Sequence, residues 1–132
     1  MRKPLPTRQA EGPLFSFNAV CKGVVVSFLS YFIMAALLAV VVYFWADLEM
    51  KLQPINYATG LLSAAIGAFA CGRRAGRAGW LHGLFSGALF MLGSYYVGIF
   101  LWPAAVGVQV LGRRLLLGVA VGLAGGAIGA NL

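Results

Sequence analysis

The sequence predicts an all-α fold, a bundle of four transmembrane helices arranged as two antiparallel hairpins. Three observations predict it. Of 132 residues, 61% are hydrophobic and only 10% charged, with a mean hydropathy of +0.90. A soluble domain has roughly 45–50% apolar and 25% charged residues, so this chain lacks the polar surface to face water on every side. The apolar residues fall into four long unbroken runs without apolar/polar alternation, which excludes a β-barrel. The connections between runs are short, and open sheets or coil in lipid would leave backbone groups unsatisfied, so each run reads as a helix.

Residues 1–22 read as a cytoplasmic tail. Its first ten residues hold Pro4, Pro6, Arg2, Lys3 and Arg8 with little apolar content, a composition expected to stay disordered. Leu14, Phe15, Phe17 and Val20 then form a patch suited to lie along the headgroups as an interfacial segment. Residues 23–132 form the transmembrane domain, with spans expected at about 23–46, 54–72, 80–102 and 115–132. The first is 24 residues without a charge, about 36 Å as a helix against a hydrocarbon core of about 30 Å. Lys22 stops it at one end, and Tyr43, Phe44 and Trp45 supply an interfacial aromatic belt at the other. It is too long for a signal-peptide core and lacks a small-residue cleavage site, so it reads as an uncleaved anchor.

Pro54 opens the second span, tolerated in a first helical turn where its missing N–H has no intrahelical partner. That span ends in the basic, glycine-rich loop Arg73-Arg74-Ala75-Gly76-Arg77-Ala78-Gly79. The third runs from Trp80 to Trp102, with Pro103 just beyond. The fourth, at 18 residues, is near the short limit for a crossing.

The net charge is +7 with a pI near 10.0. These charges lie between apolar runs, where basic residues report orientation rather than nucleic-acid binding. Arg2, Lys3, Arg8, Lys22, Arg73, Arg74 and Arg77 fall on one side; Lys51, Arg113 and Arg114 fall on the other. The positive-inside rule then places both termini in the cytoplasm. Arg113 and Arg114 dissent. Either they snorkel to the outer headgroups, or residues 104–112 form a short interfacial piece before the last span.

A shift of 62 residues aligns Gly60-Leu61-Leu62-Ser63-Ala64-Ala65-Ile66-Gly67-Ala68 with Gly122-Leu123-Ala124-Gly125-Gly126-Ala127-Ile128-Gly129-Ala130, identical at six of nine positions. Spans two and four run the same way, so the echo fits a parallel duplication of a hairpin; convergence of small-residue helices is the simpler explanation, since spans one and three show no comparable match. Either way Gly60, Ala64, Gly67, Ala68 and Gly72 give the second span a smooth face, and Gly118, Gly122, Gly126 and Gly129 do so for the fourth. Gly83/Gly87 and Ser94/Gly98 continue the spacing in the third. Lipid provides no hydrophobic drive between helices, so close approach along such stripes is a main source of packing energy. The first span, rich in Val, Leu, Phe and Ile, reads as the lipid-facing wall.

Groups for chemistry are scarce. No ionisable residue falls near the middle of a span, where such groups mark ion paths and proton relays. Asp47 and Glu49 sit at the outer end of the first span, which does not fit a carboxylate-driven multidrug exporter, and the signature residues of small fluoride channels are not evident. Cys21, Cys71 and His82 map to the same membrane side, but their spacing fits no metal pattern, and two small cysteines in a reducing compartment are the simpler reading. His82 and Ser86 share a helix face, yet no Gly-x-Ser-x-Gly elbow surrounds the serine. No catalytic, cofactor or metal residue is therefore assigned. The loop Arg73, Arg74, Arg77 with Trp80 and His82 reads first as a topology determinant and second as a contact for anionic lipid headgroups.

The strings Gly72-Arg73-Arg74-Ala75-Gly76, Gly79-Trp80-Leu81-His82-Gly83 and Gly125-Gly126-Ala127-Ile128-Gly129-Ala130-Asn131-Leu132 resemble a family of small, four-span bacterial integral membrane proteins of unknown function. That resemblance covers essentially all of the chain after the tail. It implies residence in the cell membrane, four helices, no assigned activity, and a gene neighbourhood hinting at protein translocation. The expectation is a non-enzymatic protein that works by assembly, as a homo-oligomer or beside a larger membrane protein, with membrane lipids as its other partners. The alternative is a channel or transporter for a small solute, formed at an oligomer axis from Ser63, Ser86, Ser94, Tyr95, Tyr96 and Asn131.

Overall fold

The computed structural model describes residues 16–45, 51–75, 78–101 and 107–132. The tail through residue 15, Asp47, Glu49, Arg77, Trp102 and Pro103 lie outside the described residues. Four helices make up the fold: α1 (Phe17–Phe44), α2 (Leu52–Ala75), α3 (Gly79–Leu101) and α4 (Val108–Asn131). All four are long and apolar enough to cross a membrane, so the chain is a multi-pass membrane protein.

Two helix starts differ from the sequence expectation. α1 begins at Phe17, so Cys21 and Lys22 belong to the same 28-residue helix as the first crossing. Nothing between Phe17 and Gly23 breaks a helix, so Phe17 and Val20 of the expected lead-in are continuous with the span. α4 begins at Val108, with the Val110 N–H donating to the Gly107 carbonyl at 3.0 Å. Residues 108–114 are thus no separate interfacial piece. Arg113 is exposed, while the Arg114 guanidinium lies over the Tyr57 ring of α2, 6.0 Å from its centroid. A cation on an aromatic face gains about 0.5–1 kcal/mol or more once desolvated, which eases its place in the helix.

α2 and α3 form the middle of the bundle. α1 packs on one side of that pair and α4 on the other, and α1 and α4 do not meet among the described residues. We call the end holding Ser16, Gly79 and Leu132 the basal end and the opposite one the distal end. Toward the distal end the helices are spaced by large side chains: Phe90 and Met91 of α3 bury against Ala64, Phe28, Tyr31, Leu61 and Leu115. Phe28 meets Phe90 edge to face, with ring centroids 5.0 Å apart, a geometry aromatic quadrupoles favour. Toward the basal end glycines replace these spacers, and the helices touch at backbone level.

Candidate functional site

The basal seam is built from two runs of small residues in register. A methyl group added at Gly79 would strike Ala130; at Gly83, Gly122 and Gly126; at Gly87, Gly118 and Gly122. Each step of four along α3 thus matches a step of four back along α4, as the antiparallel packing of two helical stripes requires. α2 closes the seam from the other side, with Gly72 against Gly126, Ala68 and the Ala65 carbonyl against Gly125, and the Phe69 carbonyl against Gly129. Gly67 faces α1, where an added methyl would run into Ser27 and the Gly23 carbonyl. Ala64 is fully buried beside Phe90. Gly60 is the exception among the stripe residues, with nothing within 4 Å of an added methyl. Its counterpart in the sequence echo, Gly122, is pressed against Gly83, so the two matching strings occupy different surroundings.

At the same end, α2 and α3 clasp the first turn of α1. His82 is only 1% exposed, which removes it from the set of residues facing lipid headgroups. Its Nε2 accepts the backbone N–H of Ser16, the N-cap residue of α1, at 2.8 Å. Its Nδ1 lies 3.0 Å from the Ala78 carbonyl. Because Nε2 accepts from Ser16, the proton sits on Nδ1 and is donated to the Ala78 carbonyl. Cys71, also fully buried, donates its thiol to the Ala19 carbonyl at 3.1 Å. The first helix is thereby tied at its start by one side chain from each of its neighbours. Ala78 itself adopts φ 53°, a left-handed conformation that a Cβ opposes, and its carbonyl also receives the N–H groups of Leu81 and His82.

The structure does not gather the remaining candidates into a reactive site. Cys21 is exposed while Cys71 and His82 are buried, and no group of three metal-ligating side chains occurs among the described residues. Ser27, Ser63, Thr59 and Ser94 return their hydroxyls to carbonyls one turn back on their own helices, at 2.6–3.1 Å, the usual way a hydroxyl is satisfied within a helix in lipid. The Ser86 hydroxyl is fully buried beside Gly23 and makes no hydrogen bond. Arg73 and Arg74 are exposed at the end of α2, and Trp80 is 51% exposed at the start of α3. His82, Cys71 and the Gly79–Gly83–Gly87 run of α3 are the structural residues that site-oriented reading undervalued; the four-residue glycine spacing was the available signal for the last.

These features define a class: a small four-span membrane protein whose helices are joined at the backbone, with polar groups used for internal attachment. The chain belongs to the family described as Protein of unknown function (DUF3792), which it matches over residues 16–129. Comparisons with curated proteins and with solved structures find no match.

Proposed function

We propose that the protein is a non-enzymatic bacterial plasma-membrane protein, its termini in the cytoplasm, that works by helix-mediated assembly with a second copy of itself. Seven of the ten basic residues fall on the basal side by sequence, which supports the orientation. Gly60 apart, the stripe glycines of α2 and α4 are taken up within the chain, so the surface for assembly is a different one. The observation that carries the reading is a cleft of about 720 Å³ where the distal half of α1 parts from the start of α2, lined by Ala35, Leu38, Ala39, Val42, Gln53 and Asn56 among others. Ala35 and Ala39 permit close approach of a helix, and Gln53 and the Asn56 NH2 group offer hydrogen bonds to it, the Asn56 Oδ1 already accepting from the Tyr31 hydroxyl at 2.8 Å. α1 forms one wall of this cleft and turns Phe32, Ile33 and Leu37 outward. A two-fold axis along the bundle therefore lets each copy lay its α1 in the other's cleft, a closed and self-complementary contact.

The solute-pathway alternative gains no such support. Ser63, Ser86 and Tyr95 are buried within the bundle, while Tyr96 and Asn131 are exposed near opposite ends of it. Disulfide trapping tests the assembly. In a chain carrying Cys21→Ser and Cys71→Ser, Ala39→Cys is expected to yield a linked dimer on oxidation of native membranes, and Phe100→Cys, on the exposed side of α3, to remain monomeric. Monomer alone from Ala39→Cys, equal linkage from both positions, or adducts only to a heavier protein would refute the self-assembly reading.

A further inference from the structure

α1 and α2 meet where Gly67 faces Gly23 and Ser27 and stay joined basally through the Cys71–Ala19 bond, and a groove opens on one face of that basal contact. The second cleft has a volume of about 490 Å³ and is lined by Cys21, Lys22, Gly23, Val25, Val26, Ala70 and Arg74. Its walls are ordered in the same sense. On α1, Lys22 and Val26 are four residues apart and share a face; on α2, Ala70 and Arg74 are likewise four apart. Each wall therefore carries a cation at the basal end and an apolar side chain about 6 Å deeper toward the membrane centre. Both cations are exposed, and the described residues contain no acidic side chain.

We propose that this cleft binds one anionic phospholipid, its phosphate held between Lys22 and Arg74 and an acyl chain laid along Val25, Val26 and Ala70. Charge complementarity selects the occupant. A partner helix would set apolar side chains against two cations, whereas a phospholipid presents phosphate and hydrocarbon in the same order and spacing as the walls. Lysine supplies a compact point charge and arginine a planar fork that matches phosphate oxygens. A zwitterionic lipid brings its own cation to the same place, so the site discriminates by net headgroup charge. The proposal does not depend on dimer formation, because the two clefts lie on opposite sides of the contact between Gly67 and Ser27.

Native mass spectrometry of the full chain in mild detergent tests it, titrating phosphatidylglycerol and phosphatidylcholine of identical chains. One equivalent of phosphatidylglycerol is expected to be retained with at least about five-fold preference, the factor contributed by a basic residue at an anionic lipid surface. Lys22→Gln and Arg74→Gln are each expected to weaken retention about five-fold. Arg73→Gln is expected to leave retention unchanged, since the Arg73 backbone abuts α4 at Gly129. Ala70→Trp, which fills the cleft and leaves both charges in place, is expected to expel the lipid. Equal retention of the two lipids, or an Arg73→Gln effect as large as that of Arg74→Gln, would overturn the proposal. So would equal competition by glycerol 3-phosphate, which would mark a site for soluble phosphate. Protection of Cys71 from alkylation, checked in each variant, separates loss of the site from loss of the fold.

Discussion

Substituting Gly122 by alanine measures how much of the stability rests on backbone contact between α3 and α4. The new methyl carbon would lie 2.5 Å from the Gly83 carbonyl oxygen, 3.2 Å from its carbonyl carbon and 3.3 Å from the Gly87 Cα. The first of these is about 0.9 Å short of ordinary contact, and a radial gap of that size forfeits a quarter to a half of each dispersion well along a seam. All three neighbours are backbone atoms, so no side-chain rotation relieves the overlap and the helices must separate. Overpacking of this kind costs about 1–3 kcal/mol; with rigid neighbours on every side, the upper part of that range, about 2–3 kcal/mol, is expected here. The assay is equilibrium unfolding in mixed micelles of rising dodecyl sulfate content, followed by tryptophan fluorescence and by alkylation of Cys71 in a Cys21→Ser background. At 2 kcal/mol the unfolded fraction rises roughly 30-fold. Gly60→Ala is the control, because its methyl meets nothing within 4 Å and alanine gains up to about 1 kcal/mol in helix propensity. If the two variants shift the transition equally and in the same direction, the backbone-contact account of the seam is wrong.

His82→Leu keeps the buried volume but removes the acceptor for the Ser16 N–H; it is expected to cost about 1–3 kcal/mol and to speed amide exchange in the first turn of α1 without affecting α4. Ala78→Gly relieves the left-handed backbone at φ 53° and, after glycine's greater unfolded-state entropy, is expected to stabilise by about 0.5–1 kcal/mol; a destabilised variant would contradict that conformation. Ser86→Ala deletes a buried hydroxyl that has no partner and is expected to raise the unfolding midpoint by an amount corresponding to about 1 kcal/mol, whereas a loss above that size would show that the hydroxyl is bonded.

The four helices were legible because lipid makes the requirement simple: a long uncharged run has to satisfy its own backbone groups. The start of α4 was not legible in the same way. Arg113 and Arg114 look like a boundary to any count of charge, but an arginine does not break a helix, and the ring of Tyr57 that receives one of them lies in α2. The small-residue spacing of α2 and α4 was equally plain, yet a stripe does not reveal its partner. Gly72, Gly122, Gly126 and Gly129 all meet neighbouring helices of the same chain, a pairing that no helix read alone can name. His82 was conspicuous as the sole histidine, but its bond to Ser16 spans 66 residues and leaves no trace in local spacing.

That long-range bond constrains the order in which the molecule can be completed. Ribosomes add about 5–20 residues per second, so Ser16 precedes its acceptor by roughly 3–13 s during synthesis. Within that interval α2 already brings Gly67 and Cys71 to the leading helix, while the N–H of its cap residue still waits for its acceptor. Arrival of the third segment supplies the latch. Capping of the earliest helix is therefore a late step of biogenesis, and ribosome-stalled chains ending before position 82 should show faster amide exchange at its first turn.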